Sequence, residues 1–231
     1  MQPDDTPAPH ARRGYYAIAH RAGNNLHHLE QALAAGVDAI ECDFWHASGR
    51  LVLRHERKLP ALPVLYDRWY LRIAMGELQL PKLLRAIDHR AELFLDIKSA
   101  SPRAADAVLT LYHDNASMMP RTSVSSRQWK LLDRLAAAAT DLRTFYSVGS
   151  RSSLAALLRR AESGPRPAGT SIRQTLLTPG AVRQLHDAGL QVYAWTVNNP
   201  HRAADLLAWG VDGLIFDDVG LAASLGDRVQ R

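Results

Sequence analysis

Cysteine is nearly absent. Cys42 is the only one in 231 residues, so no disulfide forms within the chain and nothing in it calls for an oxidising compartment. Long apolar runs are missing too, with no segment near the ~20 residues that a membrane-spanning helix needs. The first residues, MQPDDTPAPHARRG, place two acids and three prolines ahead of the first arginine with no apolar stretch behind it, which is not the pattern of a secretory signal. Residues 1–14 are therefore expected to form a disordered arm, and the protein to be cytoplasmic. No block of like charge occurs either. The net charge of +5 comes from arginines scattered along the chain, such as Arg54, Arg85, Arg134 and Arg202. Such scattering suits a solvated basic surface and the steering of an anionic substrate better than it suits a nucleic-acid footprint. A glycine-rich dinucleotide fingerprint follows none of the apolar runs.

What is present is enough apolar material, 47% of residues, for a sizeable core, arranged in a repeating order of strand then helix. Tyr15–Ala19 predicts a first strand, and Leu26, Leu29, Ala32 and Leu33 follow at helical spacing until Gly36. Val37–Asp43 predicts a second strand, after which Ser48-Gly49 turns the chain into Leu51–His55 as a hairpin partner. Residues 56–80 show little periodicity and carry Tyr66, Trp69 and Tyr70, which fit a lid, a lipid contact or a plug. Helices are then expected at Pro81–His89, Pro102–His113, Gln128–Ala139, Ser152–Glu162, Pro179–Ala188, Pro200–Trp209 and Val219–Leu225. The strands between them are Glu92–Ile97, Thr122–Ser125, Leu142–Val148, Gly169–Ile172, Leu190–Val197 and Val211–Phe216. About eight alternating strands over residues 15–231 predict one α/β domain, a (β/α)8 TIM barrel with a short irregular insertion after the second strand. An open doubly wound sheet is the alternative.

The polar candidates stand at the ends of these strands, which a barrel gathers at one mouth. Tyr15–Ala19 ends in His20-Arg21, Val37–Ile40 in Glu41-Cys42-Asp43, and Leu51–Leu53 in Arg54-His55. Alternation along a strand turns Glu41 and Asp43 to one face and Cys42 to the other. Two carboxylates so placed repel unless a cation or proton lies between them, and an all-oxygen donor set suits Mg²⁺ or Ca²⁺ rather than zinc. His20 and His55 would bring two imidazoles beside that ion, one to take a proton and one to give it.

Taken in order, HR at 20–21, GVDAIECD at 36–43, the His of RHE at 55, LDIK at 95–98, VYAWTVNN at 192–199 and GVDGLIFDD at 210–218 resemble the motifs of the glycerophosphodiester phosphodiesterases. These belong to the wider barrel superfamily of phosphatidylinositol-specific phospholipase C. The resemblance implies His20 and His55 as the catalytic histidines, and Glu41, Asp43 and Asp96 as ligands of one divalent cation, Mg²⁺ or Ca²⁺. It implies Arg21 and Lys98 as phosphate-binding groups and Trp195 as a pocket wall. The implied reaction cleaves a glycerophosphodiester to glycerol 3-phosphate and an alcohol. Where the family carries Pro-Glu-Asn-Thr, this chain has Ala22-Gly23-Asn24-Asn25, and its third acid is aspartate rather than glutamate. Those departures also resemble the sphingomyelinase D and phospholipase D toxins, which makes a lysophospholipase D-like enzyme acting on lipid headgroups the alternative. The aromatic loop and basic charge are compatible with contact at a membrane surface.

Each candidate also has a plain structural role open to it. Glu41 and Asp43 could pair with buried cations, Asp96 and Lys98 could form only a salt bridge, and Trp195 could be core. The other histidines are expected at solvated surface. A barrel that binds phosphorylated ligands without catalysis is the remaining possibility.

Overall fold

The structure, a computed structural model, describes residues 14–47, 49–59, 62–67, 70–74, 76–115, 121–222 and 225. Most of the expected arm at 1–14, Ser48 of the expected turn, Trp69 of the aromatic loop and part of the expected last helix lie outside the described residues.

Strand β1 (Tyr16–Ala19) leads through a short 3₁₀ turn (Ala22–Asn24) into helix α1 (Leu26–Ala34), then β2 (Ala39–Ala47) and its antiparallel partner β3 (Arg50–Leu53). The insertion holds β4 (Arg57–Lys58), β5 (Val64–Tyr66), β6 (Leu71–Ile73) and β7 (Leu78–Gln79). There follow α2 (Leu80–Ile87), β8 (Glu92–Ile97), α3 (Pro102–Asp114), β9 (Thr122–Ser126), α4 (Trp129–Ala138) and β10 (Arg143–Val148). The chain continues through α5 (Arg151–Ser163), β11 (Gly169–Arg173), α6 (Pro179–Asp187), β12 (Gln191–Trp195), α7 (Pro200–Ala208) and β13 (Gly213–Phe216).

Eight parallel strands, in the order β1-β13-β12-β11-β10-β9-β8-β2, close through the β1–β2 pairing into a barrel. The open doubly wound sheet is thereby excluded. The stretch expected to be irregular is partly ordered: β4, β5 and β6 form a separate antiparallel sheet, and β7 pairs with β3. Strands of two or three residues are too short to show alternation in sequence, and they exist only because their neighbours supply hydrogen-bond partners. Among the described residues no helix is long and apolar enough to cross a membrane.

The helices start and stop on local chemistry. Asn25 caps α1 by accepting from the His27 and His28 amides, Thr178 caps α6 by accepting from Ala181, and proline opens α2, α3, α6 and α7. Gly189 and Gly210 follow α6 and α7 at φ 74° and 89°, a conformation that costs other residues energy.

Two hydrophobic layers result. Outward-facing residues such as Ile40, Cys42, Phe44, Leu95 and Val192 pack under the helices in the larger cluster. The barrel's interior holds a smaller one, Ile18, Ala39, Phe94, Phe145, Tyr193 and Ile215. Its rings interlock: Phe145 stacks on Tyr193 at 4.5 Å between centroids, Tyr193 on Tyr16 at 5.6 Å, and Phe94 meets Phe145 edge-on at 5.4 Å. Glycine makes the room. A Cβ on Gly169 would lie 2.5 Å from Phe145 Cε1, and one on Gly213 would lie 2.7 Å from Tyr193 Cδ1. This aromatic floor seals the barrel below its mouth.

Candidate active site

The mouth begins two residues further along the same inward faces. Ala39 is followed on that face by Glu41 and Asp43, Phe94 by Asp96, and Ile18 by His20. Register sets the acids together, since Asp43 lies opposite Asp96, and Asp96 opposite Ser125, on neighbouring strands. Carboxylate oxygens of Glu41, Asp43 and Asp96 all fall within 4.8 Å of one another.

The first of these acids, Glu41, is bound by the backbone. Arg21 adopts a left-handed conformation at φ 55° and ψ 10°, uncommon for a side chain of its size. Its amide donates to Glu41 Oε2 at 2.5 Å, and its Nε stands 3.5 Å from Asp43 Oδ2. Strain of this kind persists where the surroundings over-determine the conformation. The Ala22-Gly23-Asn24-Asn25 segment supplies that constraint. A Cβ on Gly23 would lie 2.7 Å from the Cβ of Cys42, so the loop sits directly on β2. Asn24 then grips Asp43, donating through Nδ2 to Oδ2 and accepting from the Asp43 amide through Oδ1, each at 2.8 Å.

Lys98 Nζ lies 2.8 Å from Asp43 Oδ1 and also pairs with Asp96, while the Ser125 hydroxyl donates to Asp96 Oδ1 at 2.8 Å. Burial opposes the charge on Lys98, but Asp96, Asp43 and Glu41 outweigh it and hold the ammonium well above its ordinary pKa. Glu41 is pushed up to about 8, first by burial and then by the charge of Asp43. Three carboxyls this close repel unless a proton or a cation lies among them, and an all-oxygen set fits a hard divalent cation. The residues present fit the metal.

His20 is oriented by a chain of hydrogen bonds. Its Nδ1 meets Asp217 Oδ1 at 2.6 Å. Asp217 in turn accepts from Asn198 Nδ2 at 2.7 Å, and its amide donates to Asn198 Oδ1 at 2.9 Å. Burial works against protonating His20, yet the Asp217 bond and the Glu41 charge together raise its pKa. The same bond lowers Asp217 to about 2. His55 goes the other way: burial is the largest influence and lowers it, against the attraction of Asp43. Its Nδ1 is 3.1 Å from Asp67 Oδ2 in the insertion.

A cavity of about 750 Å³ joins His20, Arg21, Glu41, His55, Asp96 and Lys98 to Trp195. All eight candidates from the sequence therefore meet at one mouth, with Asp43 beneath the cavity as the most buried acid. Asp96 and Lys98 do form a salt bridge, but as part of the acidic cluster rather than instead of it. Trp195 is half-buried, packed on the floor cluster and facing the cavity. Sequence reasoning passed over Asp217 and Asn198, although Asp217 ends a strand just as Asp96 does. Among the remaining described histidines, His186 departs from plain solvated surface by pairing with Asp212 at 2.9 Å.

The model of the Glycerophosphoryl diester phosphodiesterase family matches residues 97–221, more than half of the chain. The chain belongs to this family. "Probable glycerophosphodiester phosphodiesterase 2" of Mycobacterium tuberculosis is 48% identical over 46 residues, a match covering 20% of this chain and 17% of that protein. Among solved structures, a glycerophosphodiester phosphodiesterase from Parabacteroides distasonis superposes with a TM-score of 0.75 at 20% identity, covering 94% of this chain and 98% of that one. A phosphodiesterase from Oleispira antarctica, solved with its product sn-glycerol-3-phosphate, gives 0.73 at 19% identity, covering 92% and 96%. At these identities the structures establish the shared fold. Within the family's usual segment, the position of its glutamate is Gly23 here, and the close packing on Cys42 leaves no room for a side chain.

Proposed function

We propose that this chain hydrolyses glycerophosphodiesters to glycerol 3-phosphate and an alcohol, with Mg²⁺ or Ca²⁺ held by Glu41, Asp43 and Asp96. One observation carries the proposal: three inward carboxyls converge within 4.8 Å at a cavity that two histidines share. When bound, the cation would neutralise charge on the phosphoryl oxygens. Arg21, with its forked guanidinium, and Lys98 add fixed positive charge beside them. His20, locked through Nδ1 by Asp217, keeps Nε2 for the substrate and favours its protonated form. His55 favours its neutral form. Environments that push two titratable groups apart are what a proton donor and acceptor require. His55 takes the proton of the attacking hydroxyl and His20 protonates the leaving alcohol. Where water attacks, glycerol 3-phosphate forms directly; where the substrate's own glycerol 2-hydroxyl attacks, a cyclic phosphate forms that a water then opens to glycerol 3-phosphate. The product in the Oleispira antarctica structure is of the kind this scheme releases.

Release of glycerol 3-phosphate from glycerophosphocholine, followed with each cation, tests the scheme. His20→Ala should lower turnover by roughly 10²–10⁴, and a chelator should abolish it. Undiminished turnover in either case overturns the assignment, and phosphate binding without any turnover would favour the non-catalytic barrel.

One observation favours a second substrate class, lysophospholipids. Among the described residues, the exposed large apolar side chains are Leu62, Tyr70, Leu71 and Ile73, 47% to 70% accessible and all in the insertion that carries Asp67 to His55. Exposed apolar groups beside basic Arg57 and Lys58 suit a lipid surface. Turnover of lysophosphatidylcholine but not glycerophosphocholine would select that class.

A further inference from the structure

Of the arginines and lysines that line the cavity, Arg57 comes from the insertion, and the four carried by the barrel fall into two groups. Arg21 and Lys98 stand beside the acidic cluster and have carboxylate partners within it. Arg127 and Arg173 do not. Among the described residues neither guanidinium has an ion-pair or hydrogen-bond partner, and both line the same cavity. Arg173 ends β11 directly opposite Trp195 of β12, and Arg127 follows the last residue of β9. Both guanidiniums lie over the Trp195 ring, at 5.9 Å for Arg127 and 5.6 Å for Arg173. Gly149, after β10, borders the same wall, where a Cβ would come into ordinary contact with Arg127 Nη2 at 3.6 Å and Trp195 Cη2 at 3.7 Å. Ser147 and Ser171 border the same wall with hydroxyls.

Two guanidiniums that share one indole, with no carboxylate between them, make an anion site. The scissile phosphate does not account for it. That group must lie against the triad of β2 and β8 and the two histidines, where Arg21 and Lys98 already serve it. The glyceryl half of the substrate carries only hydroxyls. A second anion must therefore belong to the alcohol half. We propose that Arg127, Arg173 and Trp195 form a subsite for an anionic group, carboxylate or phosphate, on the alcohol of the diester. The preferred substrates are then glycerophosphodiesters with an acidic headgroup. This rests on the diesterase function proposed above and adds which alcohol is selected.

Glycerophosphoserine and glycerophosphoethanolamine differ by one carboxylate, so the ratio of their kcat/KM values isolates the subsite. Glycerophosphoinositol and its 4-phosphate do the same for a phosphate. A ratio of roughly tenfold or more in favour of the anionic member of either pair is expected, as charged hydrogen bonds give, and the pair showing it identifies the anion. Arg127→Gln with Arg173→Gln should bring that ratio close to one, mainly through KM, and Arg173→Lys should keep part of it. Equal kcat/KM within both pairs for the unaltered protein overturns the subsite and leaves the diesterase standing. Calorimetric binding of O-phosphoserine against O-phosphoethanolamine, with Mg²⁺ present, needs no turnover. Should no diester be cleaved, tighter binding of O-phosphoserine that the double substitution removes would retain the subsite while the catalytic proposal fell, and equal binding would overturn both.

Discussion

The floor and the mouth of this barrel are built from the same strands, two residues apart. Ile18 and His20, Ala39 and Glu41, Phe94 and Asp96, Phe145 and Ser147, Tyr193 and Trp195 each share a strand face. Below, the inward residue is apolar and its neighbours are rings packed at 4.5 to 5.8 Å. Above, it is an acid, a hydroxyl, an imidazole or, at Trp195, an indole faced by two guanidiniums, and its neighbours are charges and hydrogen-bond partners. The floor is held by area and shape, the mouth by pairing. A substitution in the floor should therefore cost stability, and one in the mouth should cost chemistry.

The strongest test of that division is Phe145→Ala. Phe145 is fully buried and touches both Phe94 and Tyr193, so its loss should destabilise the protein by about 3–5 kcal/mol in urea unfolding. The protein that remains folded should keep its kcat. A large loss of kcat without loss of stability would mean that the floor positions the mouth directly.

Asp217→Asn is the converse case. Asp217 is half exposed and adds little to packing, but it fixes the ring of His20 and favours its charged form. A loss of roughly 10–100-fold in kcat is expected, by analogy with residues that orient a functional histidine, with little change in KM. The sign of the pH effect follows from the same bond. An amide cannot hold the imidazolium as the carboxylate does, so the His20 pKa falls and the alkaline limb of the kcat/KM profile moves to lower pH. An unmoved limb would separate Asp217 from His20.

Asn24 tests the mouth more gently. Its amide makes two hydrogen bonds to Asp43 and none to the proposed substrate groups. Asn24→Ala should weaken divalent-cation binding by roughly 10–100-fold, as removal of such supporting groups does, with melting in the absence of metal changed far less. Cation affinity that stays unchanged would show that β2 alone orders the acids.

The contrast also explains what the sequence could show. The bounds of Glu92–Ile97 are legible in the sequence because a buried barrel strand is a nearly continuous apolar run ending in chemistry. Glu41 and Asp43 were legible because alternation is a local rule. Arg21's left-handed backbone was not, since an amide donating to Glu41 depends on how the next loop seats on Cys42. Asp217 and Asn198 show no role in the sequence, because the role exists only where the ends of β12 and β13 meet β1. Arg127 and Arg173 looked like two more scattered arginines until the barrel closed and turned both onto Trp195. The short strands of the insertion left no period to read, so their order came entirely from pairing.

The smallest expected effect lies in the stability carried by the His20–Asp217 pair. His20 has its pKa raised by folding, so its contribution is complete below about 6.5, the unfolded value, and is lost as pH rises through the raised folded value. Asp217 is lowered to about 2, so its contribution is present above the ordinary carboxylate range and fades only as pH falls toward that value. The two windows overlap in mildly acidic solution, and there the pair should matter most. With Asp217 56% exposed, solvent screening keeps the difference to about 0–1 kcal/mol. Urea unfolding of the unaltered protein and of Asp217→Asn near pH 5 and near pH 9 should give a gap that narrows at the higher pH. A gap that stayed the same at both values would show that His20 is neutral throughout, and the proton it is assigned to deliver would have to come from His55.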